Sequence, residues 1–166
     1  MAATIFRHQG SFDHHSRQHR ALRFVEEYGN DIASSLQLQY PETKYYSPTC
    51  VFFDTTNVTY TGAKAIKEWM LQLFSPFEKI GFEGMSFLVV DEASTDGVRY
   101  TVNAEFMMEY YLNGSLEPIS APRMFVFEIG DSVTEDGFDG LQFTGVKLYW
   151  DTDLVKSEIK RRAAAK

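Results

Sequence analysis

One cysteine, five prolines and no histidine beyond residue 19 set the first limits on this 166-residue chain. A lone Cys50 excludes an intramolecular disulfide framework and a cysteine zinc site. No run approaches the ~18 apolar residues of a membrane-spanning helix. The opening stretch MAATIFRHQGSFDHHSRQHR has no apolar segment of roughly 7–15 residues such as a secretory signal requires, so the cytoplasm is the expected address. Basic residues are also few, with 16 Lys+Arg against 23 Asp+Glu and a formal net charge of −7. Neutralising phosphates needs a basic face, so the balance argues against a nucleic-acid binder and against attraction to anionic membranes. There is no G-x-S-x-G, no H-E-x-x-H and no Gly-rich phosphate loop, and a cofactor-free protein is expected. His8, His14, His15 and His19 are all confined to the first nineteen residues. Without a neighbouring Asp/Glu/Cys cluster they read as solvated side chains, and no metal site is expected.

Bulk is what the chain has. Apolar residues make up 44% and aromatics 15%, with 14 Phe, 9 Tyr and 2 Trp. That suffices for one sizeable core, and no linker or internal repeat divides it. Residues 1–15 are polar and without period and read as a flexible N-terminal arm. Residues 16–155 read as one domain, and 156–166 as a basic C-terminal tail or frayed helix. Ala21, Leu22, Val25 and Tyr28 recur at helical spacing from about Ser16, with Gly29-Asn30 as a stop or kink. Asp31 could cap a second stretch carrying Ile32, Leu36 and Leu38. Cys50 to Asp54 reads as a short strand. Thr61-Gly62 opens an amphipathic helix with Ile66, Trp69, Met70, Leu73 and Phe74 on one face, and Pro76 stops it.

The period then changes to two. Phe82–Asp91, Val98–Leu112, Arg123–Ile129 and Leu141–Trp150 are strand candidates, with turn signals at Asn113-Gly114 and Asp136-Gly137. In the longest, Val98, Tyr100, Val102, Ala104, Phe106, Met108 and Tyr110 share one face. Arg99, Thr101, Asn103, Glu105, Met107, Glu109 and Tyr111 share the other. Helices first and long strands after predict an α+β fold with an antiparallel sheet, one face packed on the helices. The apolar set should face inward. The semi-polar set faces water or a second copy, and a homodimer through it is expected.

Four stretches, in order, resemble the nuclear-transport-factor-2-like, or SnoaL-like, superfamily, which includes ketosteroid isomerase, scytalone dehydratase and polyketide cyclases. They are Ala21-Leu-Arg-Phe-Val25, Tyr46-Ser-Pro-Thr-Cys-Val-Phe-Phe-Asp54, Tyr60-Thr-Gly-Ala-Lys-Ala-Ile-Lys-Glu-Trp69 and Val146-Lys-Leu-Tyr-Trp-Asp-Thr-Asp153. The resemblance, from about Ala21 to Leu154, implies a cone-shaped α+β barrel. A curved antiparallel sheet would wrap around the N-terminal helices, with a pocket open at one end. The scaffold hosts many unrelated activities, so it does not by itself name a reaction.

Two residues could carry chemistry. Asp54 stands where the resemblance places the catalytic aspartate of ketosteroid isomerase, and a carboxylate at the rim of an aromatic pocket could shuttle a proton. Its other reading is a cap on the Thr55-Thr56-Asn57 turn. Arg123 is in phase with Phe125, Phe127 and Ile129, and a guanidinium on an apolar face needs an acidic partner or a ligand oxygen. Ketosteroid isomerase has a proton-donating acid at that place and a tyrosine where this chain has Phe24, so its oxyanion hole is not available here. A dehydratase using paired histidines is likewise disfavoured. Tyr28, Phe106, Met108, Tyr110 and Trp150 would line the pocket or else form core, and an aromatic wall suits an apolar small-molecule ligand. Two functions follow. One is a cofactor-free isomerase, cyclase or dehydratase acting on a polyketide- or terpenoid-like molecule, with Asp54 moving the proton and Arg123 steadying negative charge. The other is a non-catalytic ligand- or protein-binding module.

Overall fold

The structure is a computed structural model that describes residues 3–92, 95 and 97–164. Seven strands form one unclosed sheet in the order β1-β4-β5-β6-β7-β2-β3. They are β1 (Thr4–Gln9), β2 (Tyr46–Phe53), β3 (Thr59–Thr61), β4 (Phe77–Glu92), β5 (Arg99–Leu112), β6 (Ile119–Asp131) and β7 (Leu141–Trp150), with helices α1 (Arg20–Ser34), α2 (Ala63–Phe74) and α3 (Thr152–Ala164). The expected α+β architecture is present. The sheet is antiparallel except where β2 runs parallel to β7. Sequence patterning could not show this, because parallel and antiparallel strands share the period of two.

The alternation in β5 sorts its faces as expected. Val102, Ala104, Phe106 and Tyr110 are buried, whereas Glu105 is exposed. The core lies between that concave face and α1 and α2, where Phe24, Val25, Ile66 and Met70 meet Phe127, Phe143 and Leu148. Phe24 contacts Tyr45 and Phe143 edge-on; removing such a ring costs about 3–5 kcal/mol.

Four expectations need correction. The N-terminal arm is not loose: Thr4–Gln9 adds an edge strand to β4 in continuous register from Thr4↔Asp91 to Gln9↔Ser86. Phe12 packs on Phe87, and His8, only 6% exposed, pairs its Nε2 with the Ser11 carbonyl. Residues 1 and 2 lie outside the described residues. Next, α1 runs through Gly29-Asn30 without a break. The glycine is there for space: a Cβ at residue 29 would sit 2.6 Å from Cζ of Phe82. Asp31 is not a cap either. It lies inside α1, and its carboxylate takes Lys44 Nζ at 2.6 Å and the Tyr45 hydroxyl at 2.7 Å. Leu36 and Leu38 belong to an irregular connection and not to a second helix. Finally, the C-terminal segment is a helix to Ala164, one of the two forms expected, but it is docked and not frayed: Val155 is buried, and Arg162 donates to the Glu117 and Pro118 carbonyls. Residues 165 and 166 lie outside the described residues. Among the described residues, no helix is long and apolar enough to cross a membrane.

Candidate functional site

Between α1, α2 and the concave face of β4–β7 lies a cavity of about 60 Å3. Its inner wall is Tyr28, Phe52, Phe106, Phe125, Phe127 and Leu148, and its rim includes Ala33, Trp69, Leu73, Phe82 and Met108. Among the described residues lining it, Arg123 alone is charged. Of the residues expected there, Tyr28, Phe106, Met108 and Arg123 do line it, while Tyr110 and Trp150 do not.

Those two aromatics hold the arginine instead. Arg123 on β6 stands opposite Phe106 on β5 and Trp150 on β7. Its Cζ lies 3.8 Å from the Trp150 ring centroid and 4.9 Å from that of Tyr110. A cation over ring faces is attracted by their negative quadrupole, more strongly where water is excluded. Arg123 is 5% exposed. Burial presses its pKa downward, against the upward pull of Tyr110, Asp54 and Tyr28. A guanidinium nevertheless stays protonated. Its Nε and Nη2, the two nitrogens of one edge, are buried without a hydrogen-bond partner. That edge is the one that receives two oxygens in parallel.

Unpartnered polar atoms recur around it. The Tyr110 hydroxyl, Trp150 Nε1 and Asp54 Oδ1 are also buried without partners. Asp54, 6% exposed, directly follows β2 but is not on the cavity wall. Its Oδ2 accepts from Thr56 Oγ1 at 2.9 Å and its carbonyl accepts from the Asn57 amide. The turn-capping role is therefore real, and one carboxylate oxygen is left over. The turn abuts the end of β7, with Thr55 Oγ1 3.5 Å from the Trp150 carbonyl.

The sequence reading singled out Tyr28 but missed its partner Tyr46. The Tyr28 and Tyr46 hydroxyls lie 2.5 Å apart, and Tyr46 Oη is 3.5 Å from the Met70 sulfur. Burial holds both phenols above their ordinary range and hence neutral. Tyr110 is pushed up to about 12 by burial, opposed by Arg123. The pair joins α1 to β2, so only a three-dimensional contact reveals it. Cys50 is also buried, and desolvation pushes its thiol up to about 12, which leaves no thiolate nucleophile. No histidine lines the cavity. Among the described residues, no group of three or more His, Cys, Asp or Glu could hold a metal ion.

No protein-family model and no curated protein matches the sequence. Solved structures do match. A putative scytalone dehydratase from Novosphingobium aromaticivorans DSM 12444 is 13% identical at a TM-score of 0.59, covering 83% of this chain and 88% of that one. The hexachlorocyclohexane dehydrochlorinase LinA-type3 from Novosphingobium barchaimii LL02 is 10% identical at 0.57, covering 84% and 91%. A putative SnoaL-like polyketide cyclase from Shewanella denitrificans OS-217 is 11% identical at 0.50, covering 90% and 99%. At such identities the likeness is one of fold, and this chain has the SnoaL-like, nuclear-transport-factor-2-like cone fold.

Proposed function

We propose that this protein takes an apolar, carbonyl-bearing small molecule into the aromatic cavity. There it moves a proton on that molecule without a cofactor, as an isomerase, cyclase or dehydratase. The observation that carries the reading is Arg123, the one charged side chain on an otherwise apolar wall, two of whose guanidinium nitrogens are buried without a partner. Leaving a buried cationic donor unsatisfied costs more than a neutral one, so the arrangement is expected where a ligand oxygen completes it. The charge balance supports proton transfer. Asp54 is buried, has one free oxygen, and its field reaches Arg123. If Asp54 takes a proton from carbon next to the carbonyl, negative charge leaves the carboxylate and appears on the substrate oxygen beside Arg123. The site's net charge does not change, and no charge of either sign is newly buried. The structural neighbours, a putative scytalone dehydratase, a dehydrochlorinase and a putative polyketide cyclase, agree with small-molecule chemistry on this scaffold.

Asp54 lies off the wall and accepts a hydrogen bond from Thr56. This favours a second reading, in which the cavity binds without turnover and Asp54 only holds its turn. Thermal-shift screening of small polyketides, terpenoids and simple cyclic ketones, followed by turnover assays on any hit, separates the two. Stabilisation by a carbonyl compound that Arg123→Met abolishes supports the site. Unchanged turnover in Asp54→Asn leaves the binding reading ahead. Failure of every compound to shift the wild-type melting point removes the site altogether.

The same reading includes a cytoplasmic protein that pairs as a two-fold dimer through the outer face of β5. Thr101, Asn103, Met107 and Tyr111 are half-buried there. Light scattering that returns a single 19.0 kDa subunit at micromolar concentration would remove the dimer.

A further inference from the structure

The cavity is too small for the ligands its wall suits. About 60 Å3 is less than half of the ~150 Å3 cavity that accepts one benzene ring. Some lining side chain must move, and the candidates are the half-buried residues of the rim. Phe82 differs from the others in what it rests on. Its ring end lies against Gly29 in the middle of α1, so close that a Cβ there would be 2.6 Å from Cζ and 2.9 Å from Cε1. A glycine inside a helix is unfavourable relative to alanine, and here the missing side chain leaves a seat for the ring.

The strand that carries Phe82 is also irregular at this point. The β4–β5 register shifts between Phe77 and Lys79 and again between Gly84 and Ser86. Phe82 lies between these shifts, in the segment Gly81-Phe-Glu-Gly84. Register shifts and strand glycines mark places where a sheet bends and re-aims a side chain. Inside the rim, the Phe82 ring meets Phe106 edge-on at 5.9 Å and 81°, the geometry a flat ligand ring would adopt.

We infer that Phe82, seated on Gly29, is the gate of this cavity and sets the size of molecule it admits, its phenyl ring holding the place of a flat apolar ring of the ligand. The inference rests on the proposed use of the cavity and adds the residue that limits it. A ligand larger than the residual space must first lift the ring from Gly29. Its apparent affinity is reduced by the fraction of molecules in which the ring is already lifted.

The test is calorimetric or fluorescence titration of wild type, Phe82→Ala and Gly29→Ala with cyclohexanone, one ring, and 1-tetralone, two fused rings. Phe82→Leu serves as a second gate variant that keeps the rim apolar, and circular dichroism checks that each protein is folded. Phe82→Ala should bind 1-tetralone about tenfold or more tightly than wild type, since burying each pair of additional carbons is worth about that factor. Gly29→Ala, whose methyl displaces the ring, should also bind 1-tetralone more tightly. Cyclohexanone, which also exceeds the residual space, should gain in Phe82→Ala and Phe82→Leu as well, but by a smaller factor than 1-tetralone. Equal affinity of wild type, Phe82→Ala and Phe82→Leu for 1-tetralone, with cyclohexanone bound, overturns the gate and leaves the cavity reading intact. Failure of all four proteins to bind either ketone overturns the cavity reading and the gate with it.

Discussion

Gln142 on β7 and Arg123 on β6 are both buried polar side chains, and their surroundings differ completely. Gln142 is 0% exposed, and its amide is fully used. Its Oε1 accepts from the Val133 amide at 3.0 Å, and its Nε2 donates to Thr134 Oγ1 at 2.7 Å and to the Thr43 carbonyl. It ties the β6–β7 connection to the segment before β2, where Asp31, Lys44 and Tyr45 form a second satisfied set. Toward the other end of β6 and β7, Arg123, Asp54, Tyr110 and Trp150 all carry buried polar atoms without partners. A satisfied buried network rigidifies a fold, whereas an unsatisfied one costs stability and needs a reason. Apart from the Tyr40 hydroxyl, buried without a partner on a ring that packs against Tyr45, the first end is built for stability. The other gives up stability for a site that a ligand completes.

The contrast breaks most visibly in activity. On any substrate found, Asp54→Asn should lower turnover by about 10²–10⁴-fold, the usual worth of positioned acid–base assistance. The melting temperature should hardly change, because Asn retains an acceptor for Thr56. Wild-type turnover in this variant would reduce Asp54 to a turn residue.

At the satisfied end the effect should be on stability. Gln142→Leu keeps the volume but strands the Val133 amide, the Thr43 carbonyl and the Thr134 hydroxyl. The expected loss is about 2–4 kcal/mol, or a melting temperature lower by about 5–15 °C in a chain of this size. A smaller loss in calorimetry would mean that water replaces the amide there.

Removing residues 3–9 should cost about 2–3 kcal/mol, since it exposes the β4 edge and takes away the His8 ring stacked on Phe87. Chemical denaturation with an unchanged midpoint would show that β1 contributes no stability.

Arg123→Met is the sharpest comparison with Gln142→Leu. Replacing an unpaired buried charge by an apolar side chain is often neutral or stabilising, so the stability should rise or stay within about 1 kcal/mol of wild type. A loss as large as that of Gln142→Leu would mean that Arg123 belongs to the structural network.

The smallest effect concerns pH. His19 caps α1 by accepting the Ala21 amide on Nδ1 at 3.2 Å, which requires the neutral ring. Burial lowers its pKa, with Asp91 pulling upward and Arg23 downward. A depressed histidine favours the neutral form in the folded chain. Its contribution is therefore full above about pH 6.5 and is lost as pH falls through the folded value. His19→Asn keeps a cap that does not titrate, so its melting temperature should fall less than that of wild type between pH 7 and 5. Parallel curves would separate His19 from the acid sensitivity.

Local pattern carried much of this molecule. The period of two along β5 sorted Phe106 and Met108 from Glu105 and Glu109 because side chains of a strand must alternate. Pro76 ended α2, and a single arginine in the apolar phase of β6 marked the polar point of the wall. What local pattern could not carry was every feature that depends on a distant partner. β1 is polar and short, and it is a strand only because the β4 edge offers its unpaired amides and carbonyls. Gly29 reads as a helix stop until the ring of Phe82, more than fifty residues later, is seen to need its space. Trp150 and Tyr110 read as ligand wall, but Trp150 pairs opposite Arg123, the Tyr110 ring faces its guanidinium, and the wall is left to Phe125, Phe127 and Phe82. Spacing along one chain fixes which faces are apolar. Which of those faces meet, and which polar atoms are left without partners when they do, is decided only by tertiary packing.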